Sequence, residues 1–277
     1  MFEVVAPTAL QWLIGVELAR YRNEAGLSLT QLADLCGIGK PKLSHLEHGR
    51  TTQYPGDIRR ILAACRVHRE DVDRITQLTT RAHEASWLGA WSDVVSDWLR
   101  TMIGLEALAH REFVFEPVLL PGLLQTEDYA RALTAHASRV RPDQAERLVD
   151  LRMHRTLLLD KGLALHAVFT EQALRLRVGT PEVRGAQYRH LLALGERPDV
   201  TIQVVRPADG PHAAITGQFM LLQFVDARPI CYVELQDAAA FVNDPPLVHA
   251  YTLTTQSLHE VALSPTDSAT LIESLIT

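Results

Sequence analysis

The sequence predicts a mixed protein: an all-α bundle of five short helices at the N-terminus, followed by a larger α/β (or α+β) domain. Three observations predict it. Up to about residue 80, apolar side chains recur at three- and four-residue spacing between glycines that close each run. Beyond residue 110, β-branched and aromatic runs such as "EFVFE", "VTIQVV" and "PICYVEL" alternate with amphipathic stretches. The chain is also long enough, at 277 residues, for two domains. The expected organisation is a helical domain over 1–80, a Trp-rich connecting helix over 81–110 and the α/β domain over 111–277.

The helices can be justified in order. From Leu10 to Ala25, Leu10, Leu13, Ile14, Leu18 and Tyr21 form one apolar stripe, and Gly26 ends the run. "SLTQLADLCG" opens with Ser28 and carries Gln31 three residues later, a capping box for a second, short helix. Leu32 and Ala33 face inward with either Cys36 or Leu35, and Gly37 closes it. A third helix starts near Lys40, with Pro41 tolerated in the first turn because no intrahelical donor is lost there. It ends at Gly49. Pro55 introduces a fourth helix with Ile58, Ile61, Leu62 and Cys65 as its stripe, and a fifth runs from about Glu70 to Arg81. The second and third helices, joined by a tight Gly-containing turn, form a helix-turn-helix.

Charge singles out the third helix. The chain carries a formal charge of −6, yet residues 20–66 hold eight basic side chains against four acidic ones. At about 100° per residue, Leu43 and Leu46 share the buried face. Pro41, Ser44, His45 and His48 then lie outward, flanked by Lys40 and Lys42. Donors gathered at a helix N-terminus suit a phosphate-lined groove.

"GLSLTQLADLCGIGKPKLSHLEHGR" resembles the helix-turn-helix of XRE-type regulators, the Cro and phage-repressor family, over roughly residues 10–80. The resemblance implies that the first, second and sixth residues of the recognition helix, Lys40, Pro41 and His45, face bases. It implies that Lys42 and Ser44 flank them, and that Arg50 and Thr51 in the following loop touch the backbone. Pro41 offers no side-chain donor, and Leu29 stands where family members often carry a glutamine. The family pairs a glutamate of the third helix with an arginine of the first; Glu47 and Arg22 match, as a structural ion pair.

Further on, "ASWLGAWSDVVSDWLRTM" places Trp87, Trp91 and Trp98 on the connecting helix, packed in the core or along a dimer seam. "FVFEPVLLPGLLQTEDYARAL" reads as strand, Pro-Gly turn and a helix N-capped by Thr126. Helices are expected over 142–159, from Pro181 after the Thr180 cap, and from Pro245 and Pro265. Strands are expected in "LALHAVF", "VTIQVVRP", "GQFMLLQFV" and "PICYVEL". Gln125 and Tyr129 either pack locally or rim a cleft above Leu119, Leu120, Leu123 and Leu124 that receives a ligand or partner.

This half resembles the C-terminal domain of uncharacterised function found behind XRE-type domains in actinobacterial, antitoxin-like regulators, with "PGLLQTEDYAR" as the most specific stretch. The resemblance implies a small partner protein encoded nearby. The expected function is a sequence-specific DNA-binding transcriptional regulator whose C-terminal domain senses a small molecule or that partner. It would bind double-stranded DNA as a homodimer on a pseudo-palindromic operator. The alternative is an antitoxin-like adaptor with weak or secondary DNA binding. The chain has no Gly-rich phosphate loop, GxSxG, HExxH or CxxC, so no enzyme, cofactor or metal is expected. No apolar run reaches the ~18 residues of a membrane span. With no basic leader and three scattered cysteines, expected as buried free thiols, a cytoplasmic location is predicted.

Overall fold

Thr8 opens the first helix, α1 (Ala9–Glu24), through a capping box with Gln11. This computed structural model describes residues 8–79, 86–91, 93–137 and 140–276. Ser28 and Gln31 make the same reciprocal pair at α2 (Leu29–Cys36), and Gly37, in the left-handed region at φ 65°, ends it. α3 (Lys40–Glu47) follows with Pro41 in its first turn. α4 (Pro55–Ala64) and α5 (Arg69–Leu78) complete the bundle. Leu10, Ile14 and Leu18 of α1 meet Leu32, Leu43, Leu46, Ile58, Ile61 and Ile75 in one dry core. Cys36 faces inward there, while Leu35 is 62% exposed, which settles which of the two packs.

The chain divides into two compact units: Met1–Ser92, Ser96–Leu108 and Phe224–Arg228 in the first; Asp93–Val95, Ala109–Gln223 and Pro229–Thr277 in the second. The single Trp-rich helix expected over 81–110 is instead two elements, a 3-10 segment at Ser86–Trp91 and α6 (Asp97–Leu108). The break has a local cause: Val94 and Val95 lie in a turn and bend, and the Ser96 hydroxyl accepts from the Leu99 N–H at 3.4 Å, starting the helix afresh. Residues 80–85, where that helix was expected to begin, and the Trp87 side chain lie outside what is described. Within the first unit, Glu17 is buried and accepts from Arg20 at 2.8 Å and from the Arg228 N–H at 3.2 Å.

Two glycines seat α1 on α3. A Cβ at Gly15 would land on the main-chain carbonyl of Glu47. One at Gly49, whose φ is +67°, would meet the main chain of Gln11 at 2.8 Å. Gly15→Ala should therefore cost about 1–3 kcal/mol, because backbone cannot yield as a side-chain tip can. Gly56→Ala, where nothing lies within 4 Å, should hold or raise the urea midpoint. Equal midpoints for Gly15→Ala and wild type would remove this account of the helix seat.

The second unit is built on a six-stranded sheet in the order β3-β2-β1-β4-β5-β6. Its strands are β1 (Arg111–Glu116), β2 (Ala164–Thr170), β3 (Val200–Val205), β4 (Phe219–Gln223), β5 (Ile230–Glu234) and β6 (Ala239–Val242). β1, β2 and β3 run parallel; β4, β5 and β6 are antiparallel to their neighbours. β6 was not expected from the sequence: "AAFV" has a single aromatic and no clean alternation. The helices are α7 (Glu127–Thr134), α8 (Ala145–Asp160), α9 (Glu171–Arg175), α10 (Pro181–Gly195), α11 (Pro245–Val261) and α12 (Pro265–Glu273). One sheet face buries Phe113, Phe115, Val168, Phe219 and Cys231 against Val248 and Leu258 of α11. On that face Gln203, 2% exposed, accepts from His166 at 2.7 Å and His259 at 2.8 Å and donates to the Leu263 carbonyl. All three cysteines are buried and free, and burial pushes the Cys65 thiol up to about 11. Among the described residues no helix is long and apolar enough to cross a membrane.

Candidate nucleic-acid interface

The outer face of α3 is set by what its inner face must do. Leu43 and Leu46 are fully buried and Glu47 is 8% exposed. By helical geometry Lys40, Pro41, Lys42, His45 and His48 are left exposed, with Ser44 half-buried between them. Gly39 is the N-cap and supplies no side-chain hydrogen bond, so the first-turn amides of α3 stay available to an acceptor from outside. Arg50 is exposed and Thr51 half-buried in the loop that follows.

Glu47 is held from across the bundle. Arg22 donates from Nε to Oε1 at 2.7 Å and from a terminal nitrogen to Oε2 at 2.9 Å, a bidentate pair. The same guanidinium donates to the Leu27 carbonyl at 2.9 Å and to the Asn23 side chain at 2.8 Å. Arg22 therefore ties the end of α1, the α1–α2 turn and α3 together. Its hydrogen bonds to Glu47 raise its pKa against the opposing effect of burial.

The structure adds residues around this face that sequence reasoning missed. Asp57 of α4 lies 2.5 Å from the Lys42 ammonium and takes a second bond from Arg60. The bond from Lys42 holds the Asp57 carboxyl below its ordinary range, assisted by Arg60 and opposed by burial. Lys42 is thus engaged within the protein, although its side chain stays 48% exposed. Gln53, 6% exposed, donates to the carbonyls of Leu46 at 2.8 Å and Gln11 at 2.9 Å, anchoring the loop that carries Arg50 and Thr51. Tyr54, 62% exposed, heads α4 beside it. Leu29 packs partly buried against the helical core. Asp57–Arg60 is a local i,i+3 pair, but no local pattern announces Lys42–Asp57 or Gln53–Gln11, which join different helices and loops.

Of the two placements that the sequence left open for Gln125 and Tyr129, both side chains take the packed one rather than a cleft rim. They are 3% and 2% exposed, with Leu120, Leu123 and Leu124 equally buried. Gln125 donates to the Leu120 carbonyl at 2.7 Å and accepts from Arg152 at 2.8 Å, so both ends of its amide are spent inside. Gln187 of α10 grips the same turn through Leu124 and Thr126, each at 2.7 Å. The reason is packing: four leucines around one turn need an interior, and the amides close the loop's own carbonyls. Within this cluster the buried Tyr129 hydroxyl is left without a hydrogen-bond partner among the described residues. No group of three or more His, Cys, Asp or Glu able to hold a metal ion occurs among the described residues.

A family model described as a helix-turn-helix domain matches residues 13–75. Another, described as a domain of unknown function (DUF5753), matches residues 99–274. None of the curated proteins and none of the solved structures compared matches the chain.

Proposed function

Since the chain belongs to the DUF5753 family and carries a helix-turn-helix domain ahead of that domain, we propose that this DNA-binding regulator reads a specific operator through the outer face of α3. The carrying observation is the exposed row of Lys40, Pro41 and His45 at an uncapped helix start, on a helix locked to the core by Leu43, Leu46 and Glu47. Lys40 reads a base edge, His45 donates to a base or phosphate, and Ser44, Arg50, Thr51 and Lys42 line the backbone path. Tyr54 joins that path from α4.

One helix reads too few bases for specificity alone. The regulator therefore acts as a homodimer on two half-sites about 34 Å apart. It is non-enzymatic and cytoplasmic, an XRE-type, actinobacterial and antitoxin-like protein, and its C-terminal domain senses a small molecule or a small partner protein. A second reading, a partner-holding adaptor with light DNA contact, draws support from Leu29 packed against the core and from Lys42 engaged by Asp57.

Gel shifts against the promoter of its own gene, with salt varied, test the first reading. Lys40→Ala and His45→Ala should each cost about 1–3 kcal/mol of specific affinity. Lys42→Ala should weaken all sequences alike and lower the salt slope, by less than a full contact because Asp57 shares the charge. Wild-type affinity in both Lys40→Ala and His45→Ala would sink the assigned face.

A further inference from the structure

At one end of the six-stranded sheet, where β4 begins and β5 ends, the second unit has a cavity of about 510 Å³ under α11. That lies within the roughly 300–1,000 Å³ of small-ligand sites. Its wall continues the aromatic array of the core. The Phe113 and Phe219 rings stack with centroids 5.7 Å apart, and Phe219 meets Tyr251 of α11 at 5.1 Å, tilted by 48°. Phe219 and Tyr251 both line the cavity, with Val233 and Ala214 beside them. An entering ring would be the next member of that series.

Most of the polar groups here carry no charge: Thr216, Gln218, Gln236, Tyr251 and Thr254 are neutral. Glu234 is the single charged residue among the described residues lining the cavity, and no lysine, arginine or histidine lines it. Among the described residues the Tyr251 hydroxyl makes no hydrogen bond, so it too is left for an occupant. The Glu234 carboxylate accepts from the Tyr232 hydroxyl at 3.3 Å but has no cation among the lining residues, so an anion entering here would meet like charge. A cation gains the carboxylate, and an aromatic ring carried with it gains the aromatic wall of Phe219 and Tyr251. We infer that this cavity is a binding site for a small organic cation carrying an aromatic ring, the ring against Phe219 and Tyr251 and the charge toward Glu234. The inference deepens the regulator reading by giving the sensed molecule a chemical class, and it rests on that reading only for the use made of binding.

The test is calorimetric titration of the full-length chain with three phenylethyl probes that differ in the end group: phenethylamine, 2-phenylethanol and 3-phenylpropionate. The amine should bind at least about tenfold more tightly than the acid, with the alcohol between. Glu234→Gln, an exposed position, should erase the advantage of amine over alcohol. Ala250→Trp, which fills the cavity from the exposed side of α11, should weaken the amine at least about tenfold with the melt unchanged. No heat with the amine, equal binding of amine and acid, or wild-type amine binding by Glu234→Gln would each overturn the site. Amine binding is read without DNA, so a failed promoter gel shift would overturn the regulator reading and leave this site standing.

Discussion

Arg22→Ala lowers the stability of the helical unit by about 3–5 kcal/mol, the cost of stranding a buried carboxylate whose only strong partner has gone. Glu47 keeps 4% of its side-chain surface, so water cannot replace the two bonds that Arg22 supplies. The same substitution frees the Leu27 carbonyl and so loosens the entry to α2. In urea, followed by circular dichroism on the full chain, the midpoint should fall well below that of wild type. Arg22→Met/Glu47→Leu should recover much of the loss, because an apolar pair of similar size removes the charge together with its partner. A wild-type midpoint for Arg22→Ala, combined with weakened DNA binding, would make Arg22 a phosphate contact.

Glu116→Gln should do the reverse, by an amount that grows from pH 4.5 to pH 7 and is complete above it. Glu116 ends β1, and its half-buried carboxyl makes no hydrogen bond or ion pair among the described residues. Burial, with the neighbouring charge of Glu234, pushes its carboxyl up from about 4.5 to about 7. The folded state therefore favours the protonated acid more than the unfolded chain does. Below pH 4.5 both states hold the proton and the substitution is neutral. Between pH 4.5 and 7 the unfolded chain gives up this proton while the native protein keeps it, so wild-type stability falls across that window and by pH 8 the full cost of about 3 kcal/mol is reached. Glutamine stays neutral, so the variant should exceed wild type in stability at pH 8 by about that amount and match it at pH 4.5. An equal difference at both values would show packing, not charge, as the cause.

The helical half of this fold was open to sequence reading because its instructions are local. Thr8–Gln11 and Ser28–Gln31 write two helix starts within four residues each, and Gly37 and Gly49 write two ends. The outward row on α3 follows from the same arithmetic, since two leucines fix the helix's rotation. The sheet was not open in that way. Its strands could be named, but their order β3-β2-β1-β4-β5-β6 depends on pairings such as Phe115 with Phe219, more than a hundred residues apart. Lys42 shows the same limit inside the proposed DNA-facing surface: its partner Asp57 is one helix away, and only the packing of α3 beside α4 brings them together. Gln125 and Tyr129 mislead for a related reason. Polar side chains beside a Pro-Gly turn suggest solvent until an amide from α10 and a guanidinium from α8 close over them.

The close seat of α1 on α3 reaches beyond stability. Gly15, Gly49, Leu43, Leu46 and Glu47 hold the reading helix, and none of them points outward. On the proposed reading, positions 40, 41, 44 and 45 are interchangeable cargo on a fixed mount. New operator preferences would then be installed there by swapping side chains alone, with no change to the bundle that carries them. A lineage of such regulators could retarget from one promoter to another in a handful of substitutions, and a laboratory could do the same by transplanting those four positions.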